Sequence, residues 1–97
     1  MPARVVSIEG MEAVVDFGEG VKRRVLLGAS DVRPGDLVVV HAGVVIGRVK
    51  LREALAMLDA YVELSVEMAV EDGVPRSVAE REVRERVERI KQALGAR

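Results

Sequence analysis

The chain has 97 residues, of which 49% are hydrophobic and 32% charged, with a formal net charge of -1. This length suits one domain with a modest core, and the composition is that of a globular rather than a disordered protein. The near-neutral charge argues against a strongly electrostatic partner such as duplex DNA. Because the chain as given has no cysteine, disulfides, thiolate catalysis and zinc–cysteine sites are excluded.

No targeting or membrane segment is evident in the sequence. No apolar run reaches the roughly 18 residues of a membrane span, and the N-terminal residues lack the apolar segment of a signal peptide. We therefore expect a cytoplasmic protein without a membrane partner.

The first half of the chain predicts five short strands joined by tight turns. They cover residues 3–9, 12–17, 21–27, 36–41 and 44–49. Gly10 follows the first strand, and its position suits a two-residue hairpin turn. Short strands with close turns are typical of a small barrel, so we expect an OB-like β-barrel over residues 1–50.

The second half of the chain predicts two helices, which makes the fold mainly β with C-terminal helices. Apolar residues recur at three- and four-residue steps from Leu51, so a helix over 51–72 should pack on the barrel. Its apolar stripe is broader than one contact surface needs, and we expect a partner to dock there on Leu58, Tyr61 and Leu64. A second amphipathic helix over 76–95 should begin with a capping box formed by Ser77 and Glu80.

Residues 33–47, with the sequence RPGDLVVVHAGVVIG, contain the one histidine of the chain. Gly43 separates two apolar runs and predicts a sharp bend, a bulge or a close backbone approach. His41 then lies at a bent strand end. On residue type alone, it either forms a hydrogen bond across the bend or takes part in function, and one histidine needs further ligands to hold a transition metal.

The sequence carries no catalytic motif. Its aspartates lie at predicted turns, and no phosphate-binding glycine loop is present, so the residues themselves indicate no catalytic site. Binding of single-stranded nucleic acid by an OB-like barrel needs stacking aromatics in a basic groove. The chain offers only Phe17 and Tyr61, and its best basic cluster is Lys22, Arg23 and Arg24, which we interpret as a solvated edge strand.

Four segments occur in this order along the chain: EAVVDFG, VKRRVLL, RPGDLVVVHAG and a helix with the sequence EALAMLD. In this order of segments the chain resembles the HypC/HupF/HybG family of nickel–iron hydrogenase maturation chaperones. The resemblance covers residues 2 to about 66. It implies an OB-like barrel and a non-enzymatic chaperone that binds a HypD-like scaffold protein and the hydrogenase large-subunit precursor. It also implies transient contact with iron that carries cyanide and carbon monoxide. Because the chain as given offers no thiolate ligand, we expect that it binds no iron stably.

The resemblance implies a partner or iron site at His41, Gly43 and the N-terminal residues Pro2, Ala3 and Arg4. The family begins Met-Cys-Leu/Ile/Val-Ala/Gly-x-Pro, whereas this chain begins Met1-Pro2. If Pro2 is the motif proline, the cysteine implicated in holding iron would lie upstream of Met1. Our hypothesis is that about four residues precede the recorded start, and without them His41 is the one candidate metal ligand.

Other interpretations stay open from sequence. The chain is alternatively a cysteine-free paralogue that acts as a protein-interaction or self-assembling module, which would form homo-oligomers. A single-stranded nucleic-acid-binding OB-fold is a further alternative, and it would show salt-dependent binding through Lys22, Arg23 and Arg24.

Overall fold

The computed structural model describes residues 1–18 and 20–95 and measures 45 by 27 by 21 Å. Five strands precede two helices along the chain. The elements are β1 (Pro2–Glu9), β2 (Glu12–Asp16), β3 (Lys22–Leu27), β4 (Leu37–His41), β5 (Val44–Arg48), α1 (Leu51–Glu71) and α2 (Arg76–Ala93). No helix of the described ranges is long and apolar enough to cross a membrane.

The five strands form a closed barrel in the order β1-β2-β3-β5-β4, with β4 returning to pair with β1. All neighbouring strands are antiparallel except β3 and β5, which are parallel. The register shifts at Val6 of β1, which has no partner in β2, and at Ile46 of β5, which has no partner in β4. Such irregularities help strands to curve into a barrel. The predicted five-stranded barrel followed by two helices is confirmed.

The barrel interior is built from small and β-branched side chains. In each strand, alternate residues point inward, and these are almost all alanine or valine. Side chains of this size fill a narrow barrel without leaving a cavity, and the branched ones favour the strand conformation. The buried set is Ala3, Val5, Ala13, Val15, Val25, Val32, Val38, Val40 and Val45.

The two helices form a second core, in which α1 packs antiparallel to α2. Its buried members, at helical spacing, are Leu58, Val62, Val66, Ala79, Val87, Ile90 and Leu94. Between the helices, Gly73 has a φ of +96°, a conformation that suits glycine at a helix C-terminus. The helix predicted to pack on the barrel does contact β1 and β4, but it shares most of its buried face with α2.

Three contacts hold the helix pair against the barrel. Leu37, on the outer face of β4, packs against the helix core. Gly18, which follows β2, lies so close to α2 that a Cβ atom there would be 3.1 Å from the Cα of Ile90. Arg4 donates hydrogen bonds to the carbonyl oxygens of Gly35, at 2.6 Å, and of Leu94.

The start of α2 differs from the predicted capping box. Pro75 is the N-cap residue and α2 begins at Arg76, so Ser77 already lies inside the first turn and makes no cap hydrogen bond. Arg76 instead binds Glu67 of α1 through two hydrogen bonds of 2.8 and 3.2 Å. The boundary is therefore fixed by the proline and by a contact between helices, neither of which a local capping pattern records.

Candidate functional site

A two-residue turn, Ala42 and Gly43, joins β4 to β5, and its φ angles are +51° and +79°. Positive φ at both central residues is characteristic of the type I′ hairpin turn, whose twist matches that of the flanking strands. Of the alternatives considered for Gly43, the structure shows a tight turn. His41 pairs with Val44 at the closed end of this hairpin.

The strand registers place His41 in a row of outward-facing side chains. His41 pairs with Val44, Val44 with Leu26 of β3, and Leu26 with Glu12 of β2. Their immediate neighbours Val40, Val45, Val25 and Ala13 are buried inside the barrel, so the row itself lies on the outer surface.

Large apolar side chains surround this row. Leu26 is 54% exposed, Ile46 is 59% exposed and Met11 is 78% exposed. Met11 lies next to the end of β3, close to Leu26, because its carbonyl accepts a hydrogen bond from the Leu27 amide. We call the set His41, Val44, Leu26, Ile46 and Met11 the hairpin surface. An exposed apolar patch of this kind is typical of a protein-binding surface.

The start of β1 lies beside the hairpin. Met1 exchanges two hydrogen bonds of 2.9 Å with Val40, the residue before His41. Partial burial of the Met1 ammonium lowers its pKa. Because residues of β1 and β4 pair in order, a residue joined before Met1 in the same register would lie opposite His41.

His41 itself is exposed, and within residues 1–18 and 20–95 its side chain makes no hydrogen bond or ion pair. The alternative of a hydrogen bond across the bend is therefore not observed. The same ranges contain no cluster of three or more His, Asp or Glu side chains that could hold a metal ion. The arrangement offers an imidazole to a partner surface but no complete set of metal ligands.

The three N-terminal candidates have different environments. Pro2 and Ala3 are fully buried, so their side chains hold β1 in the barrel rather than face a partner. Arg4 bridges the loop before β4 and the C-terminal end of α2 through Gly35 and Leu94. A cation beside the last carbonyls of a helix is favourable. Together these residues fix the path of the chain towards the hairpin surface.

The three helix candidates are also separated. Leu58 is completely buried between the helices and is not accessible to a partner, because α2 covers that face of α1. Tyr61 is half-buried at the edge of the same core. Leu64 is 60% exposed and shares an outer stripe of α1 with Met57 and Met68.

A family comparison agrees with this architecture. The model of the HupF/HypC family matches residues 1–61, which comprise the whole barrel and the first half of α1. The chain belongs to the HupF/HypC family. A comparison with curated proteins gave no match. Membership confirms the resemblance seen in the sequence and indicates a role as a hydrogenase maturation chaperone, in a chain that has no cysteine.

Beyond the segment matched by the HupF/HypC model, α2 adds a second surface. It forms one wall of a cleft of about 540 Å³ against the barrel, which contains Phe17, Val21 and Arg23 from the barrel side. Tyr61 and Arg86 also line this cleft and continue into a cavity of about 350 Å³ between α1 and α2. We call the joined cavities the helix groove.

Sequence reasoning missed the apolar members of the hairpin surface and the whole helix groove. The sequence of β3 did contain a signal for the hairpin surface. Neighbouring residues of a strand point to opposite faces, so an inward Val25 requires an outward Leu26. No local signal predicts the groove, since it depends on how α2 packs against the barrel. The basic cluster is also altered by packing: Arg24 forms ion pairs with Glu9 at 3.2 Å and Glu12 at 4.0 Å.

Proposed function

We propose that this protein is a cytoplasmic chaperone for nickel–iron hydrogenase maturation that binds a HypD-like scaffold and the large-subunit precursor. Its hairpin surface would be the principal contact. One observation carries this proposal: the strand registers place His41 between exposed apolar side chains of β3 and β5 on one side and the start of β1 on the other. The outer stripe of α1 that includes Leu64 would extend the contact.

The hairpin surface suits protein binding because its apolar and polar parts are adjacent. Leu26, Ile46 and Met11 offer apolar area that is exposed in the free chain, and burial of such area contributes about 25 cal/mol per Å². His41 adds a side chain that both donates and accepts hydrogen bonds. The two-residue I′ turn places the histidine at the end of β4, directly opposite Val44 of β5.

The residues of this chain do not fit a resident iron site. His41 is the single imidazole, the chain has no cysteine, and residues 1–18 and 20–95 contain no cluster of metal-ligating side chains. We therefore propose that this chain binds no iron stably and that the iron centre is cargo held mainly by a partner.

Binding to a purified HypD-like protein tests the proposed function. We expect co-elution on a sizing column, and His41→Ala should weaken the complex about tenfold, which corresponds to about 1.4 kcal/mol. Gln92→Ala, an exposed change on α2, is the matched control and should leave binding unaltered. Absence of a complex with the unaltered chain would refute the proposed partner.

Circular dichroism of His41→Ala separates a binding role from a structural one. The side chain is exposed and has no partner within the described ranges, so the spectrum and the thermal unfolding curve should match those of the parent chain. Loss of the folded spectrum would show that His41 supports the barrel instead of a partner contact.

A further inference from the structure

The helix groove differs from the hairpin surface because it combines an apolar lining with arginine side chains. Its walls are largely apolar, with Phe17 and Val21 at the barrel end and Met68 and Val83 at the far end. Val21 is 45% exposed and Met68 is 57% exposed, so this apolar area faces solvent in the free chain. Exposed apolar side chains are therefore present at both ends of the groove.

Two arginines line the groove beside these apolar side chains. Arg23 lies at the barrel end, and Arg86 lines both halves of the groove. Within the part of the chain that the structure describes, neither forms an ion pair, whereas Arg24, Arg48 and Arg76 all do. Glu82 borders the far end but is not paired with Arg86. Two available guanidinium groups favour an anionic ligand, because each can bind a carboxylate through two hydrogen bonds.

The shape of the groove favours a peptide over a compact small molecule. It runs from the rim of the barrel along the seam between α1 and α2. Tyr61 and Met68, which are seven residues apart, alone span about 10 Å of helix, at about 1.5 Å per residue. An extended or helical segment fits such a surface, and alternate apolar and acidic side chains would match its lining.

A second copy of this chain fits the groove less well. The copy's own acidic and apolar surface is the outer side of α1, where Met57, Leu64 and Met68 are exposed, and Glu53 and Glu71 are exposed on the same helix. Tyr61 and Met68, however, belong to the wall of the groove itself. A chain that inserted α1 into its neighbour's groove would therefore obstruct its own, and symmetric pairing would bring acidic helices together.

We propose that the helix groove binds a short segment of a partner protein in which carboxylates alternate with apolar side chains. Arg23 and Arg86 pair with the carboxylates, and Phe17, Val21 and Tyr61 contact the apolar side chains. This surface depends on α2, which lies outside the family-matched residues 1–61, so the proposal goes beyond the role assigned to the hairpin surface.

A pair of labelled peptides tests the proposal with the full chain. One alternates leucine and glutamate, and its counterpart alternates leucine and lysine. Fluorescence anisotropy should show saturable binding of the glutamate peptide alone, weakened by added salt because the contact is ionic. Equal binding of the lysine peptide, or no binding of either, would overturn the proposal.

Charge reversal locates the binding surface. Arg86→Glu and Arg23→Glu should each weaken binding of the glutamate peptide at least about tenfold, a loss of about 1.4 kcal/mol. Arg81→Glu is the matched control, since it makes the same charge change on α2 at an exposed position outside the groove. Equal effects of Arg81→Glu and Arg86→Glu would overturn the proposal, because bulk charge would then explain them.

Sedimentation of the chain alone tests whether a second copy of the chain, rather than a partner protein, occupies the helix groove. A monomer at the concentrations of the peptide assay supports a groove that is free for a partner. Self-association that Arg86→Glu abolishes would instead assign the groove to a second copy and overturn the proposal. Because the peptide assay contains no hydrogenase or maturation protein, its failure and a failure of the proposed chaperone role are independent results.

Discussion

Replacement of Gly18 by alanine tests how α2 is attached to the barrel. Gly18 has a φ of +100°, where a side chain costs about 1–2 kcal/mol. The new Cβ would also lie 3.1 Å from the Cα and 3.2 Å from the Cγ2 of Ile90. Because the nearest atom belongs to the helix backbone, the clash is relieved only if α2 shifts, and overpacking of this kind costs about 1–3 kcal/mol.

Gly73→Ala isolates the contact from the backbone strain. Gly73 has a similar φ of +96°, but a Cβ there would meet nothing within 4 Å. Both changes alter the entropy of the unfolded chain alike, so that contribution cancels in the comparison. The difference in free energy of unfolding between the two variants should therefore be about 1–3 kcal/mol, with Gly18→Ala the less stable.

Equilibrium unfolding in urea, followed by circular dichroism, measures this difference. With a slope of about 1 kcal/mol per molar urea for a chain of this size, the midpoint of Gly18→Ala should lie about 1 M or more below that of Gly73→Ala. The double variant with Ile90→Ala should show a coupling energy, since the two residues touch. Equal midpoints for Gly18→Ala and Gly73→Ala would refute the close approach of α2 to the barrel.

Two further predictions concern the polar contacts of the helices. Arg4→Met should lower the free energy of unfolding by about 1–3 kcal/mol, because the Gly35 and Leu94 carbonyls lose a charged donor. The control is Arg23→Met, since Arg23 has no ion-pair partner in the described ranges. Equal urea midpoints for the two variants would contradict the bridge formed by Arg4. The hydrogen bond and charge of Arg76 lower the pKa of Glu67, so this pair stabilises the fold above the unfolded pKa of glutamate, about 4.3, and the effect is lost as the pH falls through the lower folded value. Urea unfolding of Glu67→Gln should therefore show a deficit near neutral pH that disappears in acid, and a deficit independent of pH would exclude this ion pair as its source.

Much of the fold could be predicted from sequence because its signals are local. Short runs rich in valine, bounded by turn residues, predict strands. The three- and four-residue spacing from Leu51 predicts a helix, which the structure shows as Leu51–Glu71. The Gly10 turn has a φ of +57° at its first central residue, as the predicted hairpin requires. The start of α2 was not predictable in this way, because the contact of Arg76 with Glu67 joins two helices.

The candidate site was less predictable because its composition depends on pairing between distant strands. His41 and Gly43 could be selected from the local pattern and the family resemblance. Leu26 lies beside them only because β3 and β5 pair in parallel, and Arg86 approaches Arg23 only because α2 folds back on the barrel. The sequence also could not distinguish Leu58 from Leu64. Both fit an apolar helix stripe, and only the packing of α2 decides which one is buried.

The parallel pair of strands β3 and β5 affects where the barrel can open. In the described ranges, two residue pairs form its ladder, Leu26 with Val44 and Leu27 with Val45. Two flanking bonds link the Leu26 amide to the Gly43 carbonyl and the Gly28 amide to the Val45 carbonyl. Gly28 permits the second of these bonds, since a Cβ there would lie 2.6 Å from the Val45 carbonyl oxygen. A short ladder opens at a lower free energy than the longer antiparallel ones, so breathing of the barrel is concentrated next to the His41 hairpin. Each opening frees strand-edge amides and carbonyls at the end of the molecule where a partner is expected, which gives that end a conformational freedom that the opposite seams lack.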